Sequence, residues 1–334
     1  MNGALRPWLV TGASGFLGRH LLQTIAGEPA PHPTIALVRD RSAWNSMDWT
    51  ARLGDAVRVV ETPAEGGAPP LEPLGGIFHL AAVVRHDRRE TDELYRANVD
   101  GTLAMVRLAA THECRIVFLS TSGTVGCFRR PGAVPDEDAP YCGEEVAAWP
   151  YYDSKVKAER AARALATGLG VDLVIVRPPV LLGPEDHRLR STGHVTRFLK
   201  GNLPFVIQGG MHFADVRDVA RAIVRIMTLP RARPVYHLPG TICSIAEFYR
   251  LTADVAGRKP PALQVPFQVA YALARISRAL GSRLLPDPAL VEMASRHWAM
   301  RSRYAEEELG YRSRPGRETL SDTVDWLRAS GVCR

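Results

Sequence analysis

Thr11-Gly12-Ala13-Ser14-Gly15-Phe16-Leu17-Gly18 is the stretch on which the reading of this chain turns. It follows the apolar run Pro7-Trp8-Leu9-Val10 and leads into Arg19-His20-Leu21-Leu22, at the start of a segment patterned as a helix over 16–26. Three glycines at the spacing G-x-x-G-x-x-G, between a strand and a helix, make a turn without Cβ atoms that a pyrophosphate can approach closely. The helix that follows offers free N–H groups and the positive end of its dipole. A bare Gly-x-x-Gly also occurs in ordinary tight turns; the strand before and the amphipathic helix after are what separate the two cases.

Working outward, short apolar runs recur at 35–38, 57–60, 76–80, 115–120 and 171–176, with helical patterns between several of them, notably 92–111 and 151–167. Strands alternating with helices predict an α/β fold with a Rossmann-type, doubly wound parallel sheet, each run being a strand buried on both faces. Beyond Pro178 the alternation fades, one more strand-like run stands at 235–238, and 261–334 reads as mainly helical. The expected organisation is a nucleotide-binding domain at 1–178, joined by late sheet elements between 205 and 240, and a smaller, mostly helical substrate domain at 179–334. The apolar segment 266–281, with Arg275 and Arg278 embedded, suits a helix that covers a pocket, packs on the core or lies on a membrane surface.

The 334 residues are 46% hydrophobic and 23% charged, the balance of a globular enzyme with a well-buried core. The net charge of +7 is carried by arginine, since the chain has only four lysines. The basic residues are scattered and not interleaved with aromatics, which argues against a nucleic-acid partner and for a surface that favours anionic ligands. No apolar run has the length of a membrane span, and a strand at the very start leaves no room for a cleaved signal, so the expectation is cytoplasmic. Cys114, Cys127, Cys142, Cys243 and Cys333 are odd in number and form no C-x-x-C pair, so they read as reduced thiols. His79, His86, His187, His194 and His212 lack metal spacing and read as loop or core residues; no metal is expected.

The end of the second strand selects the dinucleotide. An acidic residue there binds a ribose 2′-hydroxyl, and an arginine pairs with a 2′-phosphate. The chain reads Leu37-Val38-Arg39-Asp40-Arg41-Ser42, so Arg39 favours NADPH; NADH is the alternative, with Asp40 on the ribose and the arginines in water. Further on, Tyr151-Tyr152-Asp153-Ser154-Lys155 opens a helix, and four-residue spacing puts Tyr151 and Lys155 on one face. An ammonium beside a phenol favours the phenolate, lowers the tyrosine pKa and makes a general acid/base for an alcohol or carbonyl. Glu144 and Glu145 read as a charged loop before it.

Taken together, these motifs resemble the extended short-chain dehydrogenase/reductases. The resemblance rests on Thr11 to Gly18, His79-Leu80-Ala81-Ala82, Asn98-Val99-Asp100-Gly101-Thr102, Ser120-Thr121-Ser122-Gly123-Thr124-Val125-Gly126 and Tyr151 with Ser154-Lys155. It continues through Arg177-Pro178, Asp218-Val219-Ala220 and Glu308-Leu309-Gly310-Tyr311, nearly the length of the chain. It implies a catalytic set of Tyr151, Lys155 and a hydroxyl that orients the substrate oxygen. Counting back from Gly126 places that hydroxyl at Thr121, with Ser122 as the alternative. It further implies that Gly12, Ser14, Gly15, Phe16, Leu17, Gly18, Leu80, Ala81, Ala82, Ser120, Pro178 and Val180 line the cofactor channel, that Lys155 bonds the nicotinamide ribose, and that Asn98 belongs to the same set by holding the backbone nearby. The Asp followed by an apolar residue that the family carries after the third strand, near the adenine, is replaced here by Glu61-Thr62-Pro63. A homodimer built on helices flanking the site is the oligomer the resemblance implies.

Members acting on nucleotide sugars carry an Asn at the position of Val180 and an Arg at that of Met211, both for the diphosphate. Dehydratases add an acidic pair where Ser122 and Gly123 stand. Their absence leaves apolar surface where charge-assisted bonds are needed. The pattern is closer to dihydroflavonol reductase-like, 3β-hydroxysteroid dehydrogenase-like and thioester reductases. The expected activity is hydride transfer to the ketone or aldehyde of a mostly hydrophobic small molecule, with Val84, Val180, Met211 and Phe213 in its pocket. Two alternatives remain: an epimerase with retained NAD, its phosphate held by Arg85, His86, Arg188 and Arg190, and a non-catalytic nucleotide-sensing protein.

Overall fold

Apolar runs too short for helices form ten strands: β1 (Trp8–Thr11), β2 (Thr34–Val38), β3 (Val57–Glu61), β4 (Gly76–His79), β5 (Arg115–Leu119), β6 (Leu173–Arg177), β7 (Val180–Leu182), β8 (Gly210–Asp215), β9 (Val235–His237) and β10 (Thr241–Ser244), beside a few two-residue bridges. The computed structural model describes residues 5–62, 69–87, 91–203, 205–281 and 285–333; Pro63 lies outside them. Seven strands pair in parallel in the order β9-β6-β5-β4-β1-β2-β3. β1 and β4 are buried along their whole length, as a sheet covered on both faces requires. The order of the chain reverses between β1 and β4, and a crevice opens at their carboxyl ends, the switch point at which such sheets bind ligands.

Eight of the described helices carry the frame: α1 (Phe16–Ala26), α2 (Gly101–His112), α3 (Pro150–Leu169), α4 (Val216–Thr228), α5 (Ile245–Ala256), α6 (Phe267–Ala279), α7 (Pro288–Ala294) and α8 (Gly316–Ala329). One face of the sheet packs on α1 and α4 through Leu17, Leu21, Leu22, Ile223 and Ile226. The other packs on α2 and α3 through Val106, Ala109, Ala162 and Ala166. A smaller C-terminal mixed region forms a second core, in which Phe213, Phe248, Val291, Leu320 and Val324 close around the sheet β10-β8-β7.

Two expectations change and a third is narrowed. The helix foreseen over 92–111 is interrupted by a π turn at Arg96–Asp100, between a short helix Thr91–Tyr95 and α2. Glu144 and Glu145 sit in a short helix, Gly143–Val146, where their charges face the helix N-terminus. α6 does not line the cleft; it packs on the second core through Ala270 and Ala274, with Phe267 and Tyr271 against it. Ala270 and Ala274 are its buried residues, and Val269, Leu273 and Ile276 are exposed, as is Leu280 just beyond it. No described helix is long and apolar enough to cross a membrane.

Candidate active site

The glycine turn is dictated by close packing. Gly12 has φ +68°, in the left-handed region, and a Cβ there would stand 2.8 Å from the backbone N of Ala81. A Cβ on Gly18 would lie 2.2 Å from the Gly12 carbonyl oxygen and 2.8 Å from that of Ala13. Gly18→Ala therefore has to push α1 off the turn. The expected result is a stability loss of about 1–3 kcal/mol in urea unfolding, together with weakened dinucleotide binding. No side chain caps α1 and no acid lies in its first turn, so its N–H groups suit an anion.

One run of hydrogen bonds joins this turn to α3, which carries Tyr151 and Lys155. Ala81 N–H donates to Thr11 Oγ1 (3.2 Å), which pairs with His79 Nδ1 (2.9 Å); His79 Nε2 pairs with Thr102 Oγ1 (3.1 Å), which donates to the Asn98 carbonyl (2.7 Å). Burial, then the nearby Lys155 charge, lowers His79 to about 3, so it is neutral and bridges as one donor and one acceptor. The π turn points Asn98 inward. Its Oδ1 accepts from Val83 N–H (2.8 Å), and its Nδ2 donates to the Val83 carbonyl (3.0 Å) and to Ser154 Oγ (3.0 Å). Ser154 Oγ in turn donates to the Tyr151 carbonyl (2.7 Å), fixing the first turn of α3.

Tyr151 and Lys155 line the same cleft of about 900 Å³ as the glycine turn. In this state Lys155 Nζ donates to the Leu119 carbonyl (2.8 Å), and burial lowers its pKa to about 8. Burial pushes Tyr151 up to about 12. That is opposite to the lowering foreseen from the spacing: desolvation penalises the phenolate, and the ammonium is spent on the strand end. Thr121 and Ser122 both line the cleft. Thr121 is the more open; its Oγ1 accepts from Gly123 N–H at 3.3 Å and keeps its own proton for a ligand, while Ser122 is buried.

Behind the site, Glu159 and Arg177 form an ion pair with side chains 0% and 2% exposed. Glu159 also accepts from Ser120 Oγ (2.5 Å) and Thr124 Oγ1 (3.1 Å), which holds the loop after β5 in place.

Of the remaining candidates, Ser14, Gly15, Phe16, Leu17, Leu80, Ala82, Ser120, Val84, Pro178, Val180 and Met211 line the cleft. Four do not. Ala81 contributes its backbone beneath Gly12, and Asn98, 1% exposed, positions Val83 and Ser154 without facing the cleft. Phe213 is 1% exposed in the second core, edge-on to Phe248 at 5.5 Å, because two residues of strand beyond Met211 carry it past the cleft edge. Arg39 is exposed and does not line the cleft.

Sequence reasoning missed several cleft residues. Arg19, 6% exposed, pairs with Glu185 (2.6 Å) and contacts His187; Trp49 and Trp298 are further walls, and His86, His187, His194 and His212, read as loop or core, line the cleft as well. They come from separate segments, and only the charge of Arg19 in an apolar helical pattern gave a signal. Of the four residues offered as a sugar-phosphate anchor, His86, Arg188 and Arg190 line the cleft, His86 edge-on to Tyr151 (5.8 Å) and Arg188 reaching Ser14 (3.4 Å), while Arg85 does not line it and pairs with Glu93 (3.5 Å).

The sequence profile of the NAD dependent epimerase/dehydratase family matches residues 8–238. The chain belongs to this family, the extended short-chain dehydrogenase/reductases. Among its relatives is cinnamoyl-CoA reductase 1 of Oryza sativa subsp. japonica, 29% identical over 278 residues, or 78% of each chain. Another is 4-hydroxy-2-methyl-3-oxo-4-farnesyl-3,4-dihydroquinoline-1-oxide ketoreductase of Stigmatella aurantiaca, 30% identical over 346 residues and 96% of each chain. Among solved structures, gox2253 superposes with a TM-score of 0.81 at 26% identity, covering 98% of this chain and 100% of that one. These distant relatives of the extended short-chain dehydrogenase/reductase include NAD(P)-dependent reductases, and an NAD(P) cofactor is typical of the family.

Proposed function

We propose that this protein is an NADPH-dependent carbonyl reductase that acts on a ketone or aldehyde of a mostly hydrophobic small molecule, or oxidises the corresponding alcohol. The observation that carries the reading is the cleft wall beyond Tyr151. Val84, Val180, Met211, Leu290, Met293 and Trp298 present apolar surface there. An amide and a guanidinium would be needed at Val180 and Met211 to hold a sugar diphosphate.

The residues present fit a dinucleotide: a glycine turn in which Cβ atoms would clash, an uncapped α1, and Lys155 at the far end. When bound, the reduced nicotinamide supplies the hydride. Tyr151 remains a protonated phenol across neutral pH, because burial holds it at about 12, and is thereby suited to give a proton to the reduced oxygen. Thr121 would orient that oxygen by donating a hydrogen bond to it, and Lys155, one helical turn beyond Tyr151, would hold the nicotinamide ribose.

For the cofactor, the Asp40 carboxylate is occupied in capping the next helix turn by accepting from Ala43 N–H (2.8 Å). Arg41 donates to the Val59 carbonyl (2.5 Å). Among the described residues the Arg39 guanidinium has no hydrogen bond or ion pair and is exposed, which supports NADPH.

The test is oxidation of NADPH, followed by absorbance, against a panel of hydrophobic aryl and alkyl ketones and aldehydes. Turnover that saturates with apolar ketones is the expected result. Interconversion of nucleotide sugars without net consumption of NADPH overturns it.

A further inference from the structure

The loop between β7 and the helix Gly193–Leu199 is seated on α1. His20 Nε2 donates to the Pro184 carbonyl (3.0 Å), Glu185 pairs with Arg19 (2.6 Å), and His187 contacts Arg19 and stands edge-on to Trp326 at 5.3 Å. Asp186 ties the loop to itself by accepting from Ser191 N–H (2.9 Å), Thr192 N–H (2.9 Å) and Thr192 Oγ1 (3.1 Å). Glu185 and Leu189 adopt φ of +74° and +50°, a region that residues with a Cβ rarely occupy. Such strain persists only where the surroundings over-determine the backbone.

The outcome of this bracing is where two guanidinium groups stand. Arg188 Nη2 donates to Ser14 Oγ in the glycine turn (3.4 Å), and Arg190 lines the same cleft. Among the described residues, Arg188, Arg190 and Arg39 have no ion pair. Burial, then the charges of Arg190 and Arg39, weakens the hold of Arg188 on its proton, and Asp186 opposes them. Its carboxylate is already bonded to the loop backbone. Like charges fixed close together without a counter-ion are a standing demand for an anion.

We infer that Arg188 and Arg190 reach across from the substrate-side loop and, with Arg39, complete a three-guanidinium site for the 2′-phosphomonoester of NADPH. The inference rests on the NADPH reading and adds that the phosphate is held by the loop after β7 as well as by the residue after β2. A phosphomonoester carries a charge of about −1.5 to −2 near neutral pH and three acceptor oxygens, so it has room for more than one guanidinium.

The test is quenching of tryptophan fluorescence by NADPH, NADH and 2′,5′-ADP, with the wild-type chain, Arg39→Gln and the double variant Arg188→Gln/Arg190→Gln. All three arginines are exposed, so unchanged melting is expected of each variant. Wild type should bind NADPH at least tenfold tighter than NADH. The double variant should lose at least tenfold toward NADPH and 2′,5′-ADP while NADH shifts less than twofold. If the double variant keeps the wild-type preference and Arg39→Gln loses it, the three-guanidinium site is wrong and the NADPH reading stands. Equal losses for NADPH and NADH also overturn the inference, since the arginines then serve a group both nucleotides share. A wild type without preference removes the NADPH reading itself, and the inference with it.

Discussion

Tyr151→Phe is expected to lower kcat for carbonyl reduction by about 10²–10⁴-fold, the usual worth of a positioned proton donor. Dinucleotide binding should be nearly unaffected, because the hydroxyl that is removed has no bonded partner among the described residues and Ser154 bonds the Tyr151 backbone, which the substitution keeps. Stopped-flow or steady-state rates with a responsive ketone, beside fluorescence titration of the cofactor, measure the two separately. The pH profile adds a sign. Tyr151, held at about 12, stays protonated over the accessible range, whereas Lys155 is lowered to about 8. The rate at low substrate should therefore be level through neutral pH and fall above about 8, as Lys155 loses its charge. A variant that turns over at the wild-type rate removes Tyr151 from the chemistry and favours a nucleotide-sensing role.

Glu159→Ala should be the most destabilising single change near the site, by about 3–5 kcal/mol, because it leaves the Arg177 guanidinium buried without a counter-charge. The Ser120 and Thr124 hydroxyls lose their acceptor at the same time, so the loop that carries Thr121 should loosen. Urea unfolding of wild type and variant measures the difference; a change below about 1 kcal/mol would mean the pair contributes no more than a surface one. Burial opposes the Glu159 carboxylate, but the Arg177 charge and hydrogen bonds from Arg177 and Ser120 outweigh it and hold the pKa below the ordinary range. The folded-state value is thus depressed. The pair's stabilisation is present above the unfolded value of about 4.3 and is lost as pH falls through the folded value. In Glu159→Ala this part of the acid sensitivity should disappear.

What the sequence disclosed was local. The seven parallel strands announce themselves as short apolar runs, and the glycine turn and the Tyr151/Lys155 spacing each need only a few neighbouring residues to be read. What it concealed depends on distant partners. The π turn at Arg96–Asp100 exists because Asn98 has to meet Val83 and Ser154, and nothing in the helical pattern of 92–111 marks that need. Met211 and Phe213 share one face of a strand, so alternation could not tell which lies inside the cleft and which beyond it. Lys155 was legible as a neighbour of Tyr151, but its bond to the Leu119 carbonyl belongs to the strand end, and burial reversed the direction of the tyrosine shift. Arg19 and Glu185 are far apart in the chain and meet only through the fold.

The Arg19–Glu185 clasp bears on how such an enzyme can diversify. A loop that lines the cleft is bolted to α1, the helix that follows the glycine turn, so under the proposed function the two recognition tasks share one mechanical part. Replacing residues 183–192 with the corresponding loop of a relative would carry over its handling of the cofactor along with its substrate preference. Lineages that descend from this arrangement would have to change both selectivities together, or first free Arg19 from its partner.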